Sequence, residues 1–192
     1  MRKSIFSLII FLCMLMFLSC TKNEIVVEND IEQCKLLEGT WTQTRLSEVA
    51  LGNDATDLEY VVGYAKYKTY TTINFDTNQN MQTKVINELI SYEAETEDGE
   101  FSQEVLDIYF NQSMIIDAKF VASDKNIKYE NTQISINGSD FISYDDYIVM
   151  NPQAEGKTRT ISWKLKEDKL IFIVYFGNEK FETEYSKLSL DK

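Results

Sequence analysis

In the stretch YKTYTTINF, from Tyr67 to Phe75, residues that favour β-strands occupy every second position. Because successive side chains of a β-strand point to opposite faces, Tyr67, Thr69, Thr71, Ile73 and Phe75 share one face of such a strand. Threonine, tyrosine, isoleucine and phenylalanine are all residues that favour strands. The stretch therefore predicts a half-buried β-strand with one face against a core and the other in water.

The same two-residue period returns in two later segments. In MIIDAKFVA, Met114 to Ala122, every second residue is apolar, and Asp117 and Lys119 lie on the opposite face. In TISWKLK, Thr160 to Lys166, the apolar residues alternate with serine and lysine. The inward residues of this last segment are predicted to be Ile161, Trp163 and Leu165.

Short turn-like segments separate the apolar runs. Asn137-Gly138 is the strongest turn signal, because both residues tolerate a positive φ. The turn segments are Asp76–Asn80, Ser123–Asn126, Asn137–Asp140, Lys166–Asp168 and Gly177–Lys180. Strands joined in this way form an antiparallel meander. We predict an all-β fold of about eight to ten strands that closes into a barrel and so hides its edges. Two longer connections interrupt it, at Ser47–Tyr64 and in the acidic segment Glu93–Glu100.

A short helix is predicted just before the first strand. Asp30 can cap its N-terminus, and Gln33 three residues later can return the hydrogen bond. Ile31, Cys34 and Leu37 then fall near one face, and Gly39 ends the helix. Cys34 is interpreted as a small buried apolar residue.

The first residues have the anatomy of an export signal. Arg2 and Lys3 precede an apolar run that is shorter than a membrane-spanning helix, and the run ends at Ser19-Cys20. This ending resembles the lipobox of bacterial lipoproteins, which implies that Cys20 is acylated after cleavage. An ordinary secretory signal that ends near a cysteine is the alternative. We therefore divide the chain into a signal peptide (1–19), a lipidated cysteine with a flexible tether (20–33) and a barrel domain (34–192).

Charge and cysteine content narrow the possible partners. The net charge of the whole chain is −12, and loss of Arg2 and Lys3 with the signal leaves −14. An acidic chain without a basic run argues against nucleic acid and against anionic lipid headgroups as partners. If Cys20 carries lipid, Cys34 has no cysteine left with which to form a disulfide. The domain is then stabilised by its core alone.

The chain contains no histidine, which removes imidazole bases and the commonest zinc ligand. The acidic pairs Asp145/Asp146, Asp54/Asp57 and Glu95/Glu97 fall in predicted loops and are interpreted as solvated surface charge. The segment from Asp76 begins like an EF-hand loop, but Met81 replaces its glycine and Asn87 its glutamate, so only a weak surface calcium site stays open. We predict a non-enzymatic protein without a cofactor or resident metal.

The Gly39-Thr40-Trp41 motif after a short helix and before an antiparallel meander resembles the lipocalin-like, or calycin, barrels. Together with the lipoprotein signal, it is similar to the lipocalin-like lipoproteins of Bacteroides-type bacteria. The resemblance implies that Trp41 plugs the closed end of the barrel under a basic side chain of the last strand. That strand offers Lys187 where the family has arginine, and Arg45 and Arg159 lie off the pattern. The resemblance also implies a cup for a small apolar ligand.

Aromatic residues cluster around Tyr67 and in the last hairpin. If they face a cavity, Trp163 and Tyr67 are the candidate ligand-binding residues, although aromatic residues also form ordinary sheet cores. The predicted function is binding of a small apolar or amphipathic ligand by a lipid-anchored protein of the cell envelope. We place it at the outer membrane, on the periplasmic face or the cell surface. The alternative is a filled barrel that docks another envelope protein through its outer surface or its acidic loop.

Overall fold

A computed structural model describes residues 28–51, 61–96, 103–150, 160–176 and 179–189. The elements, in chain order, are α1 (Ile31–Leu37), β1 (Gly39–Leu51), β2 (Val61–Phe75), β3 (Asn80–Thr96), α2 (Gln103–Phe110), β4 (Ser113–Ala122), β5 (Asn126–Ile136), β6 (Ile142–Ser143), α3 (Tyr144–Met150), β7 (Thr160–Lys166), β8 (Lys169–Phe176) and β9 (Glu179–Lys187).

The strands form one antiparallel sheet that closes on itself. Their order is β4-β3-β2-β1-β9-β8-β7-β5-β6, and a further pairing between β4 and β5 closes the ring. Eight strands therefore make a barrel, while β6 adds two residues beside β5. The predicted all-β fold, its closure and the short helix before the first strand are confirmed.

The alternation seen in the sequence matches the burial of the side chains. The odd-numbered residues from Tyr67 to Phe75 are all buried, as are the even-numbered residues from Met114 to Ala122. On β7, Ile161 and Trp163 are buried. The turn at Asn137-Gly138 has the expected positive φ angles of 50° and 74°. A side-chain period of two thus sets the inward face of each of these strands.

Helix α1 begins at the predicted residue, but its buried face does not include every residue that was predicted there. The Asp30 carboxylate accepts hydrogen bonds from the backbone N–H groups of Glu32 and Gln33. The Asp30 N–H donates instead to the Ala122 carbonyl oxygen at 2.7 Å, so the chain is attached to the barrel from a point inside the range predicted as tether. Cys34 and Leu37 are buried, whereas Ile31 is 65% exposed. The prediction that Ile31 shares the buried face was wrong, since it lies in the first turn beyond the barrel wall.

Parts of the two predicted long connections belong to strands. Strand β1 continues to Leu51, β2 begins at Val61 and β3 continues to Thr96, so those parts of Ser47–Tyr64 and Glu93–Glu100 are strand. The rest of both segments lies outside the described residues. In β3 the exposed Glu93 is followed by the half-buried Ala94, which packs on an apolar cluster. The pattern did not reveal the strand because Glu93 is an acidic residue on its solvent face.

Two helices, α2 and α3, were not predicted. Helix α2 buries Leu106, Tyr109 and Phe110, which have the spacing of one helical face. Helix α3 carries Asp145 and Asp146 in its first turn, so this pair does not lie in a loop. The Ser143 hydroxyl accepts from the Asp146 N–H and donates to the Asp146 carboxylate. In the part of the chain that is described, no helix combines the length and apolarity needed to cross a bilayer.

Candidate functional site

The barrel interior contains two apolar clusters. We call the end where α1 lies and β1 begins the lower end. The lower cluster includes Trp41, Phe75, Phe120, Trp163 and Phe172. At the opposite end, α2 packs over the long β1–β2–β3 sheet. The upper cluster there consists of Leu51, Ala65, Tyr67, Leu106, Tyr109 and Phe110.

Trp41 is buried at the lower end, where α1 joins β1. Its Nε1 donates a hydrogen bond to the Leu37 carbonyl oxygen at 2.7 Å. Lys187 lies opposite Trp41 in the pairing of β1 with β9, and its Nζ is 5.2 Å from the centroid of the Trp41 ring. Gly39 has a φ of +117°, and a Cβ there would lie 3.0 Å from Lys187 Cε. The Gly-x-Trp motif therefore leaves room for the lysine to approach the ring.

The two candidate ligand-binding residues belong to different clusters. Trp163 is part of the lower cluster, and its Nε1 donates to the Ser123 carbonyl oxygen at 2.9 Å. Tyr67 is part of the upper cluster, and its ring centroid is 5.5 Å from that of Phe110. A role in ligand binding stays a prediction for both. Cys20 and Arg159 lie outside the described residues.

A row of polar side chains faces the interior on the β2–β3 side of the barrel. We call Thr69, Thr71 and Asn87 the polar belt; all three are buried. Thr69 and Asn87 are opposite each other in the β2–β3 pairing, and the Thr69 hydroxyl donates to Asn87 Oδ1 at 2.8 Å. On β2 the belt lies between Tyr67 of the upper cluster and Ile73 of the lower cluster. In the sequence the belt is visible as threonines at inward positions of β2, but the same pattern also fits an ordinary strand.

Further polar atoms are buried on the neighbouring strands, among them one on β3 and one on β5. Thr83 Oγ1 and the Tyr129 hydroxyl have no hydrogen-bond partner among the described residues. Burial, with a smaller contribution from Tyr185, raises the pKa of the Tyr129 hydroxyl, so it is neutral at ordinary pH. A buried polar atom without a partner costs about 1–3 kcal/mol. These atoms therefore mark positions where a polar group of a ligand or a water molecule would be stabilised.

The pairing between β1 and β9 is short. These strands pair only at Trp41–Lys187 and Thr42–Ser186, although β1 continues to Leu51 and β9 starts at Glu179. We call the unpaired part the seam. On the β1 side, Arg45 is exposed even though it lies opposite buried Thr69 in the β1–β2 pairing. The polar belt thus lies one strand away from the seam.

The acidic candidates do not form a metal-binding group in the part of the chain described. No group of three or more histidine, cysteine, aspartate or glutamate side chains could hold a metal ion there. Asp76 Oδ1 accepts from the N–H groups of Asn78 and Asn80, and Oδ2 accepts from Asn80 Nδ2. Burial opposes ionisation of Asp76, but these bonds and the charge of Lys119 outweigh it and lower the pKa of its carboxyl. Both oxygens are therefore used within the turn.

Comparison with known proteins gives this chain no family. None of the known family models matches it, and no curated protein is similar enough to count as a relative.

Proposed function

We propose that this chain is a non-enzymatic lipoprotein of the cell envelope that binds a small amphipathic ligand in its barrel. The export signal and the Ser19-Cys20 sequence support lipid anchoring through Cys20, at the outer membrane. Several acyl chains on one cysteine hold a protein at a bilayer, because each buried methylene contributes about 0.8 kcal/mol. The fold is compatible with the binding role, since the interior of an eight-stranded barrel is either filled by side chains or holds one small ligand.

The observation that carries the proposal is the polar belt between two apolar clusters. An interior evolved only for packing gains nothing from burying Thr69, Thr71 and Asn87, because each buried polar group needs a compensating partner. Thr69 and Asn87 partner each other through one hydrogen bond, which leaves the donors of the Asn87 amide nitrogen for the polar part of an amphipathic ligand. Its apolar part would contact the clusters, and its polar groups would contact the belt.

The seam supports the same proposal by giving a route to the belt. Above Thr42 the backbone groups of β1 are not paired with β9, so the wall can separate there without breaking ladder hydrogen bonds. Phe181 is 46% exposed, although it shares its face of β9 with buried Tyr185. An aromatic side chain on the edge of an opening provides a first apolar contact for an entering ligand.

The test is a titration of the detergent-solubilised full chain with dodecanoate, retinol and haemin, followed by tryptophan fluorescence. The double variant Thr69→Val/Asn87→Leu removes both partners of the belt hydrogen bond. Such a replacement is close to neutral for stability because neither partner is left unsatisfied. We expect the variant to fold and to lose at least tenfold in affinity for the probe that binds.

The matched control is Thr40→Val/Asn74→Leu. In this pair the Thr40 hydroxyl donates to Asn74 Oδ1 at 3.2 Å on the solvent side of β1 and β2. We expect this control to bind the probe as the unchanged chain does. Absence of binding by all three probes, or equal losses in the two variants, would contradict the proposal.

The second candidate is a filled barrel that docks another envelope protein. It is favoured by the aromatic packing of the lower cluster, where the ring centroids of Phe75 and Phe120 are 5.0 Å apart. Exposed Leu46 and Tyr64 on the outer face would then contribute to the docking surface. A chain that binds none of the probes, but whose Leu46→Asp/Tyr64→Asp variant loses an envelope partner in crosslinking, would favour this candidate.

A further inference from the structure

A polar groove lies on the outer face of β2, β3, β4 and β5, away from the barrel interior. Its volume is about 590 Å³, within the range of clefts that hold small molecules. Five side-chain amides line it: Asn74, Asn80, Gln82, Asn131 and Gln133. A concentration of amides in one concave surface is a chemical feature that packing of the barrel does not require.

The groove forms where β5 carries an irregularity. The β4–β5 register shifts between Asp117 and Lys119, and Asn131, on the opposite strand, has a φ of 49°. Such a bulge bends its strand and redirects nearby side chains. Asparagine tolerates this left-handed conformation better than most residues do. The bend leaves Ala118 within the lining of the groove, between polar walls.

Several of the polar groups are held in place by neighbouring side chains. Gln82 Nε2 donates to Asp117 Oδ1 at 2.9 Å, and Asn80 Nδ2 donates to Asp76 Oδ2 at 2.6 Å. Among the described residues, the side chains of Asn131 and Gln133 make no hydrogen bond. The groove therefore combines fixed groups on a rigid sheet with amides that are available to a ligand.

The charges of the groove disfavour two classes of ligand. Its two carboxylates, Asp76 and Asp117, outnumber its one cation, Lys119, so phosphate or another anion would be repelled. Lys119 Nζ also already donates to the Asn78 carbonyl oxygen. Both oxygens of Asp76 already accept hydrogen bonds within the turn, so Asp117 is the carboxylate of the groove that remains for a cation. A divalent cation needs more oxygen ligands than one carboxylate supplies.

We propose that this groove binds an uncharged saccharide. Each sugar hydroxyl both donates and accepts a hydrogen bond, and each side-chain amide offers two donors and an acceptor. Amides and one carboxylate can therefore satisfy neighbouring hydroxyls without a compensating charge. Because no aromatic ring lines the groove, we expect weak binding in fast exchange. The saccharide site lies on the opposite side of the wall from the proposed barrel site and is independent of it.

The test is saturation-transfer-difference NMR on the full chain in detergent micelles. The probes are maltose, cellobiose, lactose and N,N′-diacetylchitobiose, with glucose 6-phosphate and Ca²⁺ as charged comparisons. We expect at least one neutral disaccharide to receive saturation. We expect the variant Asn131→Gly/Gln133→Ala to reduce that signal at least fivefold, because glycine keeps the positive φ of the bulge while the amides are removed.

Two controls isolate the groove. Gln33→Ala removes a partly exposed amide on α1, outside the groove, and should leave the signal unchanged. Thr69→Val/Asn87→Leu alters the barrel interior and should leave it unchanged as well. The proposal is overturned if no neutral disaccharide receives saturation, if the groove variant keeps the full signal, or if glucose 6-phosphate or Ca²⁺ displaces every neutral probe.

Discussion

At the scale of single residues, the Gly39-Thr40-Trp41 motif has a structural explanation. The positive φ of Gly39 turns the chain from α1 into β1, and its missing side chain leaves space for Lys187. Trp41 then connects three parts of the molecule, since its Nε1 bonds α1, its ring lies in the lower cluster and Lys187 of β9 lies over it. From these contacts we propose that Trp41 plugs the lower end.

Replacement of Trp41 tests that role. Trp41→Ala should lower the free energy of unfolding by about 3–5 kcal/mol, the usual loss for a large buried aromatic side chain. Trp41→Phe keeps much of the packing but leaves the Leu37 carbonyl without its donor, which should cost about 1–3 kcal/mol. Denaturant unfolding measures both. An alanine variant as stable as the unchanged chain would rule out the plug.

The contact of Lys187 with the Trp41 ring is a cation–π interaction at an exposed lysine. Lys187→Met should lower the free energy of unfolding by about 0.5–1 kcal/mol, and Lys187→Arg should preserve it. Lys166→Met on β7 is a suitable control, because this exposed lysine has no ion pair among the described residues. A double-mutant cycle with Trp41→Leu, which removes the aromatic ring, would separate the ring contact from general charge effects.

Glu182 provides a prediction about pH. Hydrogen bonds from Lys164 and Lys180 to its Oε1 lower the pKa of the Glu182 carboxyl to about 2. Because the folded pKa is below the ordinary value, its contribution to stability is present above about pH 4.5 and is lost as the pH falls towards 2. Glu182→Gln should therefore lower the unfolding midpoint at pH 7 and have little effect near pH 2. A pH-independent difference would contradict this account.

At the scale of elements, Asp30 has two roles. Its carboxylate caps the N-terminus of α1, and its backbone N–H attaches the start of the helix to the barrel. Asp30→Ala removes the acceptor for two backbone N–H groups and should cost about 1 kcal/mol. Asp30→Ser should retain most of the stability, because serine is also a good N-cap. Thermal unfolding monitored by circular dichroism would measure the difference. Equal losses for alanine and serine would show that the charge, rather than the cap, matters.

The sequence predicted the strands of the lower end well, because their inward residues repeat with a period of two and are strongly apolar. The prediction was wrong at the upper end, where the acidic residues from Glu93 onward indicate a loop although β3 continues to Thr96. Helix α2 was missed because it is short, and the residues described as buried on it, Leu106, Tyr109 and Phe110, span little more than one turn. Its spacing becomes informative only once the covered sheet is known.

The polar belt and the groove depend on which strands lie side by side. Thr69 meets Asn87 across the β2–β3 pairing, and Asp117 lies opposite Gln133 across β4–β5. A shift of one residue in either register would move these side chains to the other face. The bulge at Asn131 has no strong sequence signal, because asparagine is equally common in ordinary turns.

At the scale of the whole molecule, the barrel is asymmetric from end to end. The lower end is filled by aromatic side chains and covered by α1, whereas the upper half has the polar belt, the seam and α2. We therefore propose that a ligand of the barrel would lie in the upper half, with Trp163 of the lower cluster below it. Tyr67 and the belt would then contact the ligand most directly.

Native mass spectrometry of the full chain, purified in mild detergent from the cells that produce it, tests the binding role most directly. We predict a population whose native mass exceeds the mass of the same chain after denaturation by one small amphipathic molecule, and loss of this population in Thr69→Val/Asn87→Leu. The Thr40→Val/Asn74→Leu control should retain it. A chain that is always empty, or bound mass that is unchanged in the belt variant, would contradict a ligand-binding barrel.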